Sequence, residues 1–329
     1  MVLHFRALNK TQCACRGKIV FKVLLCLVST MFGLLVIALA IAMHTPTRNA
    51  LLARVMPGPW LDVGTMQLIK IHRQAQPIRT GTCPDRCPQL YAPKSRREDV
   101  DGRDVNFYED LKLDVLMHKE EIWPFLPLLN RHEKIDLLFT LDVLSEVLED
   151  AGLTYFLVDG TLLGIVRNQG IIPWDDDVDV ALNGSQWKEI KARLCCVDGF
   201  TLTLTDFMHW KFFPSNAIRI RNSPQHRFPF VDLFFFTEDD THIWALTDYN
   251  IQNLLNKKSD IFPLSESKLD GRSYPVPKNL ESVVRTQFKG MGLCVSPSMF
   301  HKYNYALPDK DIVKIPCSAL KNMYTLNTG

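Results

Sequence analysis

Asp175, Asp177 and Asp179 fall within five positions of one another, in the run Ile171-Ile-Pro-Trp-Asp-Asp-Asp-Val-Asp-Val180. Alternate residues of a strand share a face, so Asp177 and Asp179 project together from the start of an apolar strand. Two carboxylates about 4 Å apart repel by about 4 kcal/mol at an effective dielectric near 20. A divalent cation reverses that sign, and oxygen ligands at this density suit Mg²⁺ or Mn²⁺, above all when substrate phosphates complete the shell. A solvated acidic turn is the plainer alternative. The apolar flanks, Ile171–Trp174 and Val178–Leu182, argue against it.

A second acid extends the pattern. Asp232 is the one carboxylate in Phe228-Pro-Phe-Val-Asp-Leu-Phe-Phe-Phe236, a run apolar enough to be buried on both faces. A buried carboxylate needs an ionic partner or a metal. It is read here as a third ligand facing Asp177 and Asp179, with an Arg or Lys partner as the alternative. Upstream, Gly160-Thr-Leu-Leu-Gly164 lies between a strand and a helix. Backbone N–H groups at such a helix start can cradle a phosphate. Gly160, Thr161 and Gly164 are therefore candidate phosphate-binding residues, with Arg167 placed to neutralise an oxygen. Lys211, Arg219 and Arg221 lie in a strand-like stretch and are candidates for gripping a nucleotide or acceptor, although a surface charge is the plainer reading of each. Trp174 and Trp210 could stack on a base, although core packing is the better reading of Trp174. The nine histidines show neither HExxH nor triad spacing, so neither a zinc hydrolase nor a serine hydrolase is indicated.

These residues need a sheet to hold them. Ile135, Leu138, Leu141 and Leu137, Leu144, Leu148 recur at helical spacing and predict a helix over Arg131–Asp150, stopped by Gly152. Strands are expected at 154–158, 178–182, 217–221 and 230–235. This order predicts an α+β (mixed α/β) domain over residues 104–329.

Ahead of it, residues 44–103 are proline-rich without sustained periodicity and read as a stem. Residues 23–43 carry no charge. As a helix they would span roughly 31 Å, close to the roughly 30 Å hydrocarbon core, and read as an uncleaved transmembrane signal anchor. Arg6, Lys10, Arg16, Lys18 and Lys22 place the tail, residues 1–22, in the cytosol and the remainder in a lumen. Six cysteines, Cys83, Cys87, Cys195, Cys196, Cys294 and Cys317, would then sit in an oxidising compartment. Their pairing is not readable from spacing. Asn183-Gly-Ser185 is a lumenal glycosylation sequon. A net charge of +2 without a basic face gives no footprint for nucleic acid.

The run from Phe156 through Asp159-Gly-Thr-Leu-Leu-Gly164 and Arg167 to Ile172-Pro-Trp-Asp-Asp-Asp-Val-Asp179 resembles the signature of the LicD/fukutin family. Val231-Asp-Leu-Phe234 looks like its second acidic strand, and Leu269-Asp-Gly-Arg-Ser-Tyr-Pro-Val276 resembles its closing segment. The similarity covers roughly residues 131–290. Phe288-Lys-Gly290 departs from the Tyr-Gly often found there. The resemblance implies a nucleotidyltransferase-like fold and transfer of phosphocholine, ribitol phosphate or a similar group from a CDP-activated donor to a glycan. It also implies a Golgi (or ER) membrane protein of single-pass type II topology. By the same resemblance Gly160, Thr161 and Gly164 form the phosphate turn, and Asp177, Asp179 and Asp232 hold the metal with Asp175 outside them. A metal-dependent glycosyltransferase using a nucleotide sugar, and a non-catalytic Golgi scaffold, stay open as alternatives.

Overall fold

The computed structural model describes residues 31, 78 and 82–327, apart from 109–110, 112–119, 205–208, 221–222, 247–254 and 289. The expected tail, the membrane span apart from Met31, and the stem before residue 82 apart from Ile78 lie outside the described residues. Among the described residues no helix is long and apolar enough to cross a membrane. The chain divides into Met1–Ile69 and Lys70–Gly329, and the fold below is that of the second unit.

A short helix α1 (Arg97–Asp101) precedes the long helix α2 (Arg131–Asp150). The second has the predicted limits. Asn130 accepts from the Glu133 amide at 3.0 Å while Glu133 accepts from the Asn130 amide at 3.1 Å, a reciprocal cap worth about 1 kcal/mol. At the other end Gly152 takes the left-handed conformation, φ 63°, and lets Leu153 N–H close on the Leu148 carbonyl.

Strand β1 (Tyr155–Leu157) leads into α3 (Asp159–Asn168), then β2 (Val178–Asn183) and α4 (Trp187–Leu194). Next come β3 (Phe200–Thr203), β4 (His209–Pro214), β5 (Ile218–Ile220), β6 (Ser223–Phe228), β7 (Val231–Glu238), β8 (His242–Ala245) and β9 (Asn256–Lys257). The main sheet has the order β1-β2-β7-β4-β3, with β8 and β9 continuing from β7. Within it β2 and β7 are parallel and the other pairs antiparallel, so the fold is α+β with a mixed sheet. The strand expected near 217–221 is β5, which pairs with β6 alone, outside the main sheet. α2 covers β4 and β7, and α3 covers β2.

Helix α5 (Lys258–Ile261), hairpin β10 (Ser265–Leu269)–β11 (Arg272–Val276) and helix α6 (Leu280–Gln287) follow. The hairpin packs on β1 and α3, and α6 packs on α3. The C-terminal segment forms two small ladders. One pairs β12 (Leu293–Val295) with a late strand. The other pairs β13 (Met299–Phe300) with β14 (Tyr305–Ala306). The late strand is β15 (Lys314–Pro316), and the Cys294–Cys317 disulfide closes this segment.

Residues 83–103, read from the sequence as the end of a stem, pack on the domain. Disulfides join Cys83 to Cys195 and Cys87 to Cys196. Glu146 accepts from the amides of Lys94 and Ser95, both at 2.8 Å, and from the Tyr91 hydroxyl at 2.7 Å. Arg103 and Arg272 pair with the fully buried Asp142, which also accepts from Tyr274. The contacts of Tyr91, Lys94, Ser95 and Arg103 run from irregular chain to side chains of α2, which leaves no periodic trace in the sequence.

Candidate active site

The parallel pairing of β2 and β7 sets Asp179 opposite Asp232, and the antiparallel pairing of β4 sets Lys211 opposite Asp232. In-register neighbours share a face, so the three residues form a row across adjacent strands. Lys211 Nζ donates to Asp232 at 2.5 Å, and His209 Nε2 stands 2.9 Å from its other oxygen. The His209 ring stacks on Phe234 at 4.7 Å. Burial raises the Asp232 carboxyl, but the adjacent Lys211 and His209 outweigh it and hold that carboxyl well below the usual range. Lys211 is thus buried beside Asp232 and over the Phe230 ring, where it cannot reach out to grip a substrate as expected.

Asp177 precedes β2 and meets a residue that sequence reasoning missed. His301 Nε2 lies 3.2 Å from Asp177, and His301 Nδ1 lies 2.7 Å from Asp176. Asp177, Asp232 and His301 each offer one atom to a group spanning no more than 4.8 Å, the one such cluster among the described residues. Burial lowers the His301 ring pKa, but Asp177 and Asp176 reverse this and push it up to about 9. Burial raises Asp177, with His301 opposing. Two carboxylates and an imidazole converging in a buried place fit a divalent ion. Asp175 and Asp179 stand outside this group, half-buried beside it. Both are raised well above the usual carboxylate range, first by burial and then by neighbouring acids.

The expected phosphate turn divides into three roles. The helix begins at Asp159, in the left-handed conformation at φ 48°, so Gly160, Thr161 and Gly164 all lie inside α3. A Cβ on Gly160 would stand 2.9 Å from Asp175 Oδ2 and 3.8 Å from Asp179 Oδ2, so this glycine makes room for the acids. Thr161 Oγ1 accepts from the Asp179 amide at 2.8 Å and fixes the start of β2. A Cβ on Gly164 would stand 2.5 Å from the Gly170 carbonyl. Gly164 is therefore a packing glycine, which lets the chain double back beneath α3.

Next to the acids is a cavity of about 460 Å³, in the range of small-molecule sites. Gly160, Arg167, Trp174 and Asp175, and from the C-terminal part Val295 and His301, are among its lining residues. Arg167 is 3% exposed and lies 5.2 Å over the Trp174 ring. Its guanidinium is pulled down to about 10 by burial, against the pull of Asp175. Trp174 Nε1 donates to the Val295 carbonyl at 3.0 Å, so its ring is a fixed wall. Trp210 is fully buried in the core and is not a stacking surface. Arg219 is exposed on the separate hairpin, and Arg221 lies outside the described residues. Asn183 is half-buried at the end of β2, where its side-chain oxygen accepts from the Ser185 amide at 2.9 Å.

Comparison with known proteins agrees with the resemblance. Residues 152–279 match the family model described as LicD/FKTN/FKRP, nucleotidyltransferase domain. The lipopolysaccharide cholinephosphotransferase LicD of Haemophilus influenzae is 36% identical over 58 residues, 18% of this chain and 22% of that protein. Uncharacterized proteins of Rickettsia prowazekii and Rickettsia typhi are each 51% identical over 37 residues, 11% of this chain and 14% and 12% of theirs. The matched stretches thus span at most 22% of these relatives' own lengths. His301 and the disulfide-closed segment lie beyond the family match.

Proposed function

We propose, with the LicD/FKTN/FKRP match over residues 152–279 as premise, that this chain transfers a phosphate-linked group from a CDP-activated donor to a glycan. The transferred group is phosphocholine, ribitol phosphate or a relative of these. The reaction belongs in the Golgi (or ER) lumen, behind a single-pass type II anchor at residues 23–43. The observation that carries this reading is the meeting of Asp177, Asp232 and His301 beside a cavity containing the buried Arg167.

Each residue then has a task. Asp177, Asp232 and His301 would hold a divalent ion, whose charge would neutralise the donor's phosphates. The imidazole nitrogen departs from the all-oxygen shells typical of Mg²⁺ and favours Mn²⁺ of the two ions. Lys211 and His209 keep Asp232 ionised and fixed. Arg167 binds a donor phosphate oxygen from the cavity wall. Asp179, outside the ligand group and held by Thr161, takes the proton of the acceptor hydroxyl. The acceptor oxygen forms a bond to phosphorus as the bond to CMP breaks, and CMP leaves with the electron pair.

The test is CMP release by the purified protein with CDP-choline, CDP-ribitol and CDP-glycerol, a glycan mixture and Mn²⁺ or Mg²⁺. Release with one donor, lost with EDTA and in Asp177→Ala, supports the reading and names the group. Intact protein that binds neither metal nor CDP and releases nothing sinks it.

A further inference from the structure

We infer that the β13–β14 hairpin is the acceptor subsite, a platform on which Tyr303 and Tyr305 stack against the sugar rings of a glycan. The inference rests on the transferase reading for its occupant and on the hairpin's own geometry for its place.

The hairpin is anchored at its base and open at its tip. Its one-turn helix, His301–Tyr303, carries His301 inward to Asp177 and Asp176. Lys302 Nζ pairs with Glu133 at 2.5 Å, and the Lys302 amide donates to Asp176 at 3.1 Å. Asn304 then turns the chain in the left-handed conformation, φ 48°, into β14. Tyr303 and Tyr305 follow these inward anchors and are 63% and 53% exposed. The Tyr305 ring stacks with Phe300 at 6.4 Å, which fixes its orientation.

The position of the hairpin selects the occupant. Ser298, Met299 and His301 line the cavity, so the hairpin that carries Tyr303 and Tyr305 forms part of the border of the candidate active site. An acceptor whose hydroxyl enters that mouth must lay its remaining sugars across whatever borders it. Sugar rings present C–H faces rimmed by hydroxyls. Tyrosine matches both parts with a flat apolar ring and a polar tip, and loses little side-chain freedom on binding. Two exposed tyrosines separated by one residue, on a hairpin that also lines the cavity, give a sugar ring a place to stack.

The experiment is a printed array of glycoprotein and glycolipid glycans, probed with the whole chain in detergent. The wild type should retain a subset of glycans. The Tyr303→Ala/Tyr305→Ala double variant should lose them by about tenfold or more, as truncated aromatic anchors do. Tyr303→Phe/Tyr305→Phe keeps the rings and should retain binding within about threefold, because ring stacking rather than the hydroxyls dominates. An unchanged melting temperature in both variants shows that the hairpin is folded. No glycan retained by the wild type, or equal retention by the double alanine variant, overturns the inference. CMP release separates the two claims: glycan binding lost in the alanine variant without any CMP release keeps the subsite and removes the transferase reading.

Discussion

His301 Nε2 stands 3.2 Å from Asp177 Oδ2, a contact between the acidic run and a hairpin beyond the family match. The same ring reaches Asp176 through its other nitrogen at 2.7 Å. One side chain therefore joins the C-terminal segment to the acidic cluster and fills out the candidate ligand group with Asp232. The family-matched stretch supplies two of the three candidate ligands, and this hairpin supplies the third.

His301→Ala is expected to weaken Mn²⁺ binding by at least about tenfold, the scale at which even supporting residues of metal sites act. Thermal unfolding with and without Mn²⁺ reads this directly. Wild-type protein at about 100 times its dissociation constant gains about 2.7 kcal/mol, and the variant should gain clearly less at the same concentration. Equal metal stabilisation in both proteins would remove His301 from the site.

The two glycines of α3 should separate activity from stability. Gly160→Ala pushes a methyl to 2.9 Å from the Asp175 carboxylate, a side chain that can swing aside. It is expected to lower CMP release severalfold, with a stability loss of only about 1 kcal/mol or less. Gly164→Ala places its methyl 2.5 Å from the Gly170 carbonyl, where backbone must move. It should cost about 1–3 kcal/mol, as overpacking does. Denaturant melts of both variants beside CMP release check the contrast, and the reverse order of stability losses would refute it.

Asp232 was legible in the sequence because a carboxylate inside an apolar run cannot be explained by propensity, and Asp177 because its acidic cluster is wedged between two apolar runs. The limits of α2 were legible because its apolar period is long and Gly152 ends it. His301 was not. It is brought to the acids by the fold of a hairpin far along the chain, and no local spacing marks it. Gly164 is ambiguous in the sequence for a related reason, since a glycine that lets two backbones touch and one that admits a phosphate leave the same letter. Lys211 reads from the sequence as a surface charge or a substrate grip, and only the register of β4 against β7 reveals Asp232 as its partner. The cysteines were countable, but the pairing of Cys83 and Cys87 with Cys195 and Cys196 depends on the segment 83–103 lying against the domain, which periodicity does not record.

Thr161→Val tests a smaller claim, that α3 positions β2 through one hydrogen bond. Valine keeps the shape and removes the acceptor for the Asp179 amide. An unpaired backbone donor there should cost about 1–3 kcal/mol. If Asp179 is the base, CMP release should fall further than melting alone explains, while CDP binding by calorimetry stays close to wild type. Thr161→Ser, which retains the hydroxyl, should recover most of both. Equal activity in the valine and serine variants would mean that the hydroxyl does not position Asp179.

The clamp that holds residues 91–95 on α2 should respond to acid. Burial raises the Glu146 carboxyl, but hydrogen bonds from the Lys94 amide, Tyr91 and Ser95 outweigh it, so its folded pKa lies below its ordinary 4.5. For a depressed carboxylate the stabilisation is fully present above the unfolded pKa and is lost as pH falls through the folded value. The melting temperature of wild-type protein should therefore fall as pH drops below about 4.5, and that of Glu146→Ala should fall less steeply over the same range. At neutral pH the variant should be less stable by about 1 kcal/mol, since four donors, which water can partly satisfy, lose a charged acceptor. Proteolysis should also cut between Tyr91 and Arg96 sooner in Glu146→Ala than in wild type. The two disulfides upstream of the cut would keep the preceding chain attached, so the fragments should separate only after reduction. Parallel acid melts of the two proteins, or cleavage at the same rate, would show that Glu146 does not hold this segment.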